Sequence, residues 1–135
     1  KNYNLDNNNY KIPEGVIYTD LVENVAIIKD NFILPEISYQ QINGELKEIN
    51  HNSVIYKGTN RLQKKIKGKI FCLVQGGSGN NYFHFLFDIV TKLKIYQEKF
   101  SLDEVDYFYV PNLSNWQKKI LSLFGIRFKV SNQVE

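Results

Sequence analysis

Residues 69–88 read KIFCLVQGGSGNNYFHFLFD, and this stretch decides the predicted fold. The continuous apolar run Ile70–Val74 is typical of a strand that is buried on both faces. The glycines and asparagines of residues 76–81 indicate a turn, and apolar residues from Phe85 onward recur at helical spacing. A strand, a glycine-rich turn and a helix N-terminus together form a concave, electropositive spot that suits an anionic or hydroxyl-rich ligand.

The same alternation continues towards the C-terminus. Val105–Val110 and Ile126–Val130 are predicted strands. Between them, Ser114 is a suitable N-cap for a helix that runs to Phe124, where Gly125 supplies the left-handed position. Units of strand, helix and strand build right-handed parallel sheets. The predicted fold class is therefore α/β, a Rossmann-like parallel sheet with flanking helices and a β-rich N-terminal lead-in.

The first half of the chain has a different pattern. Val25–Ile28 and Phe32–Leu34 are predicted to form a β-hairpin, because Asp and Asn at residues 30–31 tolerate the positive φ of a tight turn. Ser53–Tyr56 is predicted to be another short strand. We expect a single domain over residues 1–135, with residues 1–67 as the β-rich lead-in and 68–135 as a βαβαβ unit.

Composition limits the class of protein. The chain has 135 residues and a net charge of +3, which is too mild to predict a nucleic-acid partner. The basic run at residues 61–67 is either a solvated connection or a patch for phosphate or anionic lipid headgroups. One cysteine cannot form an intrachain disulfide, so a cytoplasmic location is expected, with peripheral membrane contact left open. The chain starts at Lys1 and has no Met, so we expect it to be a fragment.

His84 and Asp88 are the predicted catalytic residues. They are four positions apart and therefore share a helix face. Asp88 could bond one ring nitrogen of His84 and fix the tautomer, which leaves the other nitrogen free as a base. The alternative is that His84 is a core histidine whose hydrogen bonds are satisfied.

The predicted substrate-binding residues are Gly77, Ser78, Gly79, Asn80 and Asn81, through exposed backbone N–H groups. The alternative is a plain strand-to-helix turn. The turn does not match the dinucleotide-binding fingerprint, because Tyr82 occupies the position of its third glycine. It does not match a P-loop either, because no Lys-Ser/Thr pair follows it. His84 and Asp88 are too few ligands for zinc, so no metal and no cofactor are predicted.

The segment Asn81–Asp88 resembles the Asn-Tyr-aromatic-His-aromatic-Leu-x-Asp motif of glycosyltransferase family 61, the capsular polysaccharide biosynthesis proteins. Asn115–Ile126 resembles the helix of that family that ends in Leu-Gly-Ile. Val90–Leu93 stands where the family has Leu-Pro-Arg-Leu, so the Pro is absent and Lys92 replaces the Arg. The resemblance covers about residues 68–130.

The resemblance implies the N-terminal, acceptor-side half of a GT-B glycosyltransferase. Such an enzyme transfers a sugar, with inversion, from a nucleotide-sugar donor to a glycan acceptor hydroxyl, without an essential metal. The donor-binding half would follow the present chain, so we expect the chain to be inactive alone and to self-associate through the uncovered interdomain face. Two alternatives stay open: a non-catalytic glycan- or partner-binding module, and a nucleotide-binding Rossmann-like domain.

Overall fold

The computed structural model describes residues 3–6, 9–19, 24–42, 44–59, 63–74, 81–110, 113–126 and 130–131. The chain divides into two compact units, Lys1–Thr59 and Asn60–Glu135.

The first unit is built from antiparallel strands. A five-stranded sheet has the order β3-β4-β6-β7, with β5 also paired to β4, and β1 pairs separately with β2. All of these pairings are antiparallel. The strands are β1 Asn4–Asp6, β2 Asn9–Tyr10, β3 Val16–Thr19, β4 Asn24–Lys29, β5 Phe32–Ile33, β6 Tyr39–Ile42 and β7 Glu45–Leu46.

The turn between β4 and β5 confirms the predicted hairpin. Asp30 and Asn31 have φ values of 51° and 64°, which is the left-handed conformation that a two-residue hairpin turn requires. β4 is the central strand of the sheet, and its residues 25–27 are all buried.

A short helix, α1 (Ser53–Lys57), follows a 3-10 turn at Ile49–His51. The prediction of a strand at Ser53–Tyr56 is therefore wrong. The reason lies one residue earlier, because the Asn52 side chain accepts a hydrogen bond from Val54 N and so caps the helix.

The second unit alternates strands and helices. Its strands β8 (Ile70–Cys72), β9 (Tyr107–Tyr109) and β10 (Val130–Ser131) pair in parallel in the order β10-β9-β8. Between β8 and β9 lie α2 (Tyr82–His84), a π-helical segment (Phe85–Val90), α3 (Thr91–Gln97) and a 3-10 turn (Leu102–Glu104). α4 (Asn115–Ser122) connects β9 to β10.

The prediction of a Rossmann-like parallel sheet with flanking helices is wrong. The largest sheet among the described residues is antiparallel, and it lies in the segment that was expected to be a lead-in. Parallel pairing in the described part of the chain is confined to three strands of two or three residues. Antiparallel strands need only short turns, whereas each parallel pair needs a long crossover. The GT-B architecture that the resemblance implied depended on the same sheet and is corrected with it.

The core of the second unit forms where its helices cover the parallel strands. Phe85, Ile89 and Leu93 are at most 1% exposed and follow one another at four-residue spacing. They belong to a cluster with Leu73, Val105, Phe108, Val110, Leu113, Leu121 and Ile126. This packing fixes the helical segment and so decides which of its residues face solvent.

Across the residues that the structure describes, no helix is long and apolar enough to cross a membrane.

Candidate functional site

The site begins at the N-terminus of α2, where Asn81 is the N-cap. Its backbone is extended, and its side-chain Oδ1 accepts a hydrogen bond from His84 N at 3.2 Å. Asparagine is a preferred N-cap because its side chain satisfies an otherwise unpaired amide of the first turn. Asn81, predicted to bind substrate, thus has its side chain engaged by the helix, while the residue itself remains exposed. Gly77, Ser78, Gly79 and Asn80 lie outside the described residues.

The structure brings the two predicted catalytic residues into contact. His84 Nδ1 lies 2.9 Å from Asp88 Oδ2. An ionised carboxylate can only accept, so Nδ1 carries the proton in this hydrogen bond. In the neutral imidazole, Nε2 is then the acceptor. The His84 side chain is 45% exposed and that of Asp88 is 28% exposed, so His84 is accessible to a ligand rather than a residue of the core.

The π-helical segment aligns these side chains. In an α-helix of 3.6 residues per turn, side chains four apart drift around the axis by about 40° at each step. A π-helical turn is wider, with hydrogen bonds from i to i+5, and π-helical turns are frequent at functional sites. Because Phe85–Val90 is π-helical, the drift is reduced and His84, Asp88 and Lys92 lie in one row. We call these three residues the polar row.

Lys92 links the polar row to the end of strand β8. Its Nζ donates a hydrogen bond to Val74 O at 2.9 Å. Burial lowers the pKa of Lys92, while the charges of Cys72 and Asp88 act in the opposite direction. Burial also raises the pKa of the Cys72 thiol, and the nearby Lys92 charge partly offsets this. Sequence reasoning noted Lys92 only as a departure from the family motif and assigned it no role.

Three aromatic side chains flank the polar row on the solvent side. Tyr82, Phe83 and Phe87 are each 60% exposed, and we call them the aromatic surface. The Phe83 and Phe87 rings lie 4.5 Å apart with an interplanar angle of 30°, and Phe83 meets the His84 ring edge-on at 5.7 Å. Tyr82 is held by the ring of Trp116, with centroids 5.2 Å apart.

In the described part of the chain, no group of three or more His, Cys, Asp and Glu side chains could hold a metal ion.

Comparison with known proteins gives no relative of this chain. No family model, no curated protein and no solved structure matches it. The functional argument therefore depends on the site itself.

The sequence carries a weak signal for the π-helical segment and none for the exposure of the aromatic surface. Polar residues at 84, 88 and 92 among apolar ones indicate a row with a four-residue period. Such a strict period departs from the 3.6-residue repeat of the α-helix, and this departure could have indicated the π-helical segment. Exposure of the aromatic surface could not be read from the sequence, because Phe83 and Phe87 are as apolar as the buried residues beside them.

Proposed function

We propose that this chain supplies the acceptor-side chemistry of an inverting glycosyltransferase, which moves a sugar from a nucleotide-sugar donor to a glycan hydroxyl. The observation that carries the proposal is the 2.9 Å contact between His84 Nδ1 and Asp88 Oδ2 on a half-exposed imidazole. The motif resemblance at Asn81–Asp88 supports it. The antiparallel sheet of the first unit means that the proposal depends on the site and not on a GT-B fold.

In this mechanism His84 is the general base. Nε2 takes the proton of the acceptor hydroxyl as the hydroxyl oxygen attacks the anomeric carbon of the donor. The bond between that carbon and the donor phosphate oxygen breaks, and the nucleoside diphosphate leaves with the electron pair. Attack from the side opposite to the leaving group inverts the anomeric centre. Asp88 accepts from Nδ1–H and stabilises the imidazolium that forms.

The aromatic surface is suited to the acceptor. Exposed flat rings bind the apolar face of a sugar ring, and their position beside His84 would bring an acceptor hydroxyl towards the base. The proposal includes a cytoplasmic location, supported by the single cysteine, Cys72, which has no partner for an intrachain disulfide.

The test is a transfer assay on the complete gene product with a panel of nucleotide sugars. We expect His84→Ala to lower kcat by about 10²- to 10⁴-fold, the usual contribution of a general base, without weakening donor binding. The matched control is His51→Ala, because His51 is the other histidine of the chain and is exposed in the first unit. It should leave kcat unchanged.

Two results would contradict the proposal. Undiminished transfer by the folded His84→Ala protein would remove His84 from the mechanism. Absence of transfer with every donor, from a folded wild-type protein, would remove the glycosyltransferase assignment itself.

A second candidate function is a non-catalytic glycan-binding module, which the aromatic surface specifically favours. Monomeric proteins seldom expose clustered apolar rings without a binding role. A module of this kind would bind oligosaccharides saturably without any nucleotide, and Phe87→Ala would weaken that binding while His84→Ala would not. Calorimetric titration of the chain with oligosaccharides distinguishes it from the enzyme.

A further inference from the structure

Lys92 is a partly buried cation without a carboxylate partner among the described residues. Its ammonium donates to the backbone carbonyl of Val74 at 2.9 Å, and none of the ion pairs in the described part of the chain includes it. Asp88, the acid of the same row, pairs with His84 instead. Placing a cation where water is partly excluded is costly unless an opposite charge or further acceptors compensate for the lost hydration.

The rest of the second unit adds almost no acid that could pair with Lys92. No Asp or Glu occurs in four of its undescribed stretches, which are residues 60–62, 75–80, 111–112 and 127–129. The remaining stretch, residues 132–135, contains one acid, Glu135. A ligand that carries a negative charge is therefore the simplest source of the compensating charge.

The ammonium of Lys92 lies where parallel sheets bind ligands. Val74 is two residues beyond the end of β8, which pairs in parallel with β9, and ligands of such sheets bind beyond the carboxyl ends of the strands. Val74 is 4% exposed, so the carbonyl that holds the ammonium is a fixed point of the core. An ammonium has three donors. One is used by Val74 O, so two remain for the oxygens of an anion.

The distance between Lys92 and His84 is compatible with one bound sugar. Eight residues separate the two in the polar row, which corresponds to at most about 12 Å along the helix axis. In inverting transfer, the base and the leaving group lie on opposite sides of the anomeric carbon. An attacking hydroxyl near His84 and a phosphate near Lys92 would then belong to the same reaction.

We infer that Lys92 is a phosphate-binding residue: its ammonium, held at the carboxyl end of β8 by Val74 O, donates to a phosphate oxygen of the ligand. The phosphate is that of the nucleoside diphosphate that leaves the donor, and the fixed positive charge stabilises the negative charge that develops there. The choice of the donor as the source rests on the proposed function, whereas phosphate binding at Lys92 does not.

The test is calorimetric titration of the chain with inorganic pyrophosphate. It is made at neutral pH, because burial lowers the pKa of Lys92 and alkaline conditions would remove its charge. We expect Lys92→Met to raise the Kd by about tenfold or more, the loss of one charge-assisted hydrogen bond, and Lys92→Arg to keep most of the affinity. Lys94→Met is the matched control, because Lys94 is an exposed lysine two residues further along α3. It should leave the Kd unchanged.

Two further probes identify the source of the phosphate. Uridine diphosphate represents the leaving group, and glucose 1-phosphate represents a phosphorylated acceptor. We expect the chain to bind uridine diphosphate more tightly than glucose 1-phosphate, with both affinities reduced in Lys92→Met. The reverse order would overturn the assignment to the donor and would assign the phosphate to the acceptor.

Equal Kd values for folded wild type and folded Lys92→Met would overturn the inference, as would a folded wild type that does not bind pyrophosphate. If Lys92→Met does not fold, the amide signals of the ¹⁵N-labelled wild type decide. Pyrophosphate should shift those of Val74 and Lys92, and shifts confined to the exposed lysines of residues 63–67 would contradict the site. Pyrophosphate binding at Lys92 without any sugar transfer would remove the proposed function but keep the phosphate site.

Discussion

At the scale of single residues, two asparagines determine where helices begin. Asn52 and Asn81 both use the side-chain oxygen to accept from an amide of the first turn. Both could be predicted as caps from residue type, but only the Asn81 helix was predicted. Ser53–Tyr56 contains β-branched and aromatic residues, which favour a strand, and the stretch is too short for helical periodicity to correct that prediction.

Asn52 is predicted to be important for the stability of the first unit. It is fully buried, and its Nδ2 donates to Val25 O and Tyr39 O at 3.2 and 3.3 Å. Asn52→Ala should lower the free energy of unfolding by about 2–4 kcal/mol, because a cap is lost and buried carbonyls of two strands lose a donor. Urea denaturation measures this. The exposed neighbour Asn50, changed to Ala, should stay within about 0.5 kcal/mol of wild type.

Gly68 is predicted to tolerate no side chain. Its φ is 131°, and a Cβ there would lie 2.6 Å from Asp106 Oδ2, which accepts from Lys69 N at 2.7 Å. Gly68→Ala should cost about 1–3 kcal/mol and disturb the start of β8. Gly44→Ala is the matched control, because φ is also positive there but nothing lies within 4 Å. Equal melting temperatures for the two variants would show that the contact with Asp106 is unimportant.

At the scale of elements, the best sequence predictions are those with local causes. The α4 helix begins after Ser114 as predicted, since Ser114 and Gln117 form a capping box. The β4–β5 hairpin was predicted because Asp30-Asn31 is a local turn signal. The π-helical segment was not predicted, because its sequence signal is only a four-residue period, shared by the polar residues 84, 88 and 92 and by the buried Phe85, Ile89 and Leu93, and this period differs little from that of an α-helix.

The capping box allows a paired test on one helix. Ser114→Ala removes the oxygen that accepts from Gln117 N and the hydroxyl that donates to Gln117 Oε1. It should lower the free energy of unfolding by about 1 kcal/mol. Ser122→Ala, at the other end of α4, removes only an exposed hydrogen bond to Lys119 O and should cost less than half as much. Thermal denaturation of the two variants under the same conditions gives the comparison.

At the scale of the whole molecule, the prediction of a Rossmann-like sheet was wrong because it extended the strand–helix alternation after residue 68 to the fold of the entire chain. The alternation of strands and helices after residue 68 is present, yet it yields only a small parallel sheet. Residues 1–67 were predicted to be a lead-in because the family resemblance covers only about residues 68–130, although several short strands were predicted in the first half as well. Which half would hold the larger sheet depends on pairings between distant residues, and no single stretch of sequence indicates these.

Stability of the protein as a whole should depend on pH through Lys92. Burial lowers the pKa of Lys92 in the folded chain below its usual 10.5. Between the folded-state pKa and 10.5, the unfolded chain therefore binds more protons than the folded one. The contribution of Lys92 to the free energy of unfolding therefore increases as pH rises through this window and is lost as pH falls through the folded pKa. Relative to Lys92→Met, wild type should gain stability as the pH rises from neutral towards 10.5.

Urea denaturation across that range measures the difference, with Lys94→Met as the control for an exposed lysine. A constant difference between wild type and Lys92→Met would show that Lys92 keeps an ordinary affinity for its proton. Because Cys72 is close to Lys92 and its thiol pKa is raised, the comparison is made with Cys72 present in every variant.

The π-helical segment makes the site sensitive to the number of residues in the chain and not only to their identity. Each residue of an α-helix turns the chain by about 100°. Deletion of one residue between Phe85 and Val90 would allow an ordinary α-helix to form. The helix residues after the deletion would then be rotated about the helix axis by about 100° relative to His84. Leu93 would leave the core or Lys92 would leave the polar row. A deletion at this point would therefore separate the histidine from its lysine while every side chain of the row was still encoded.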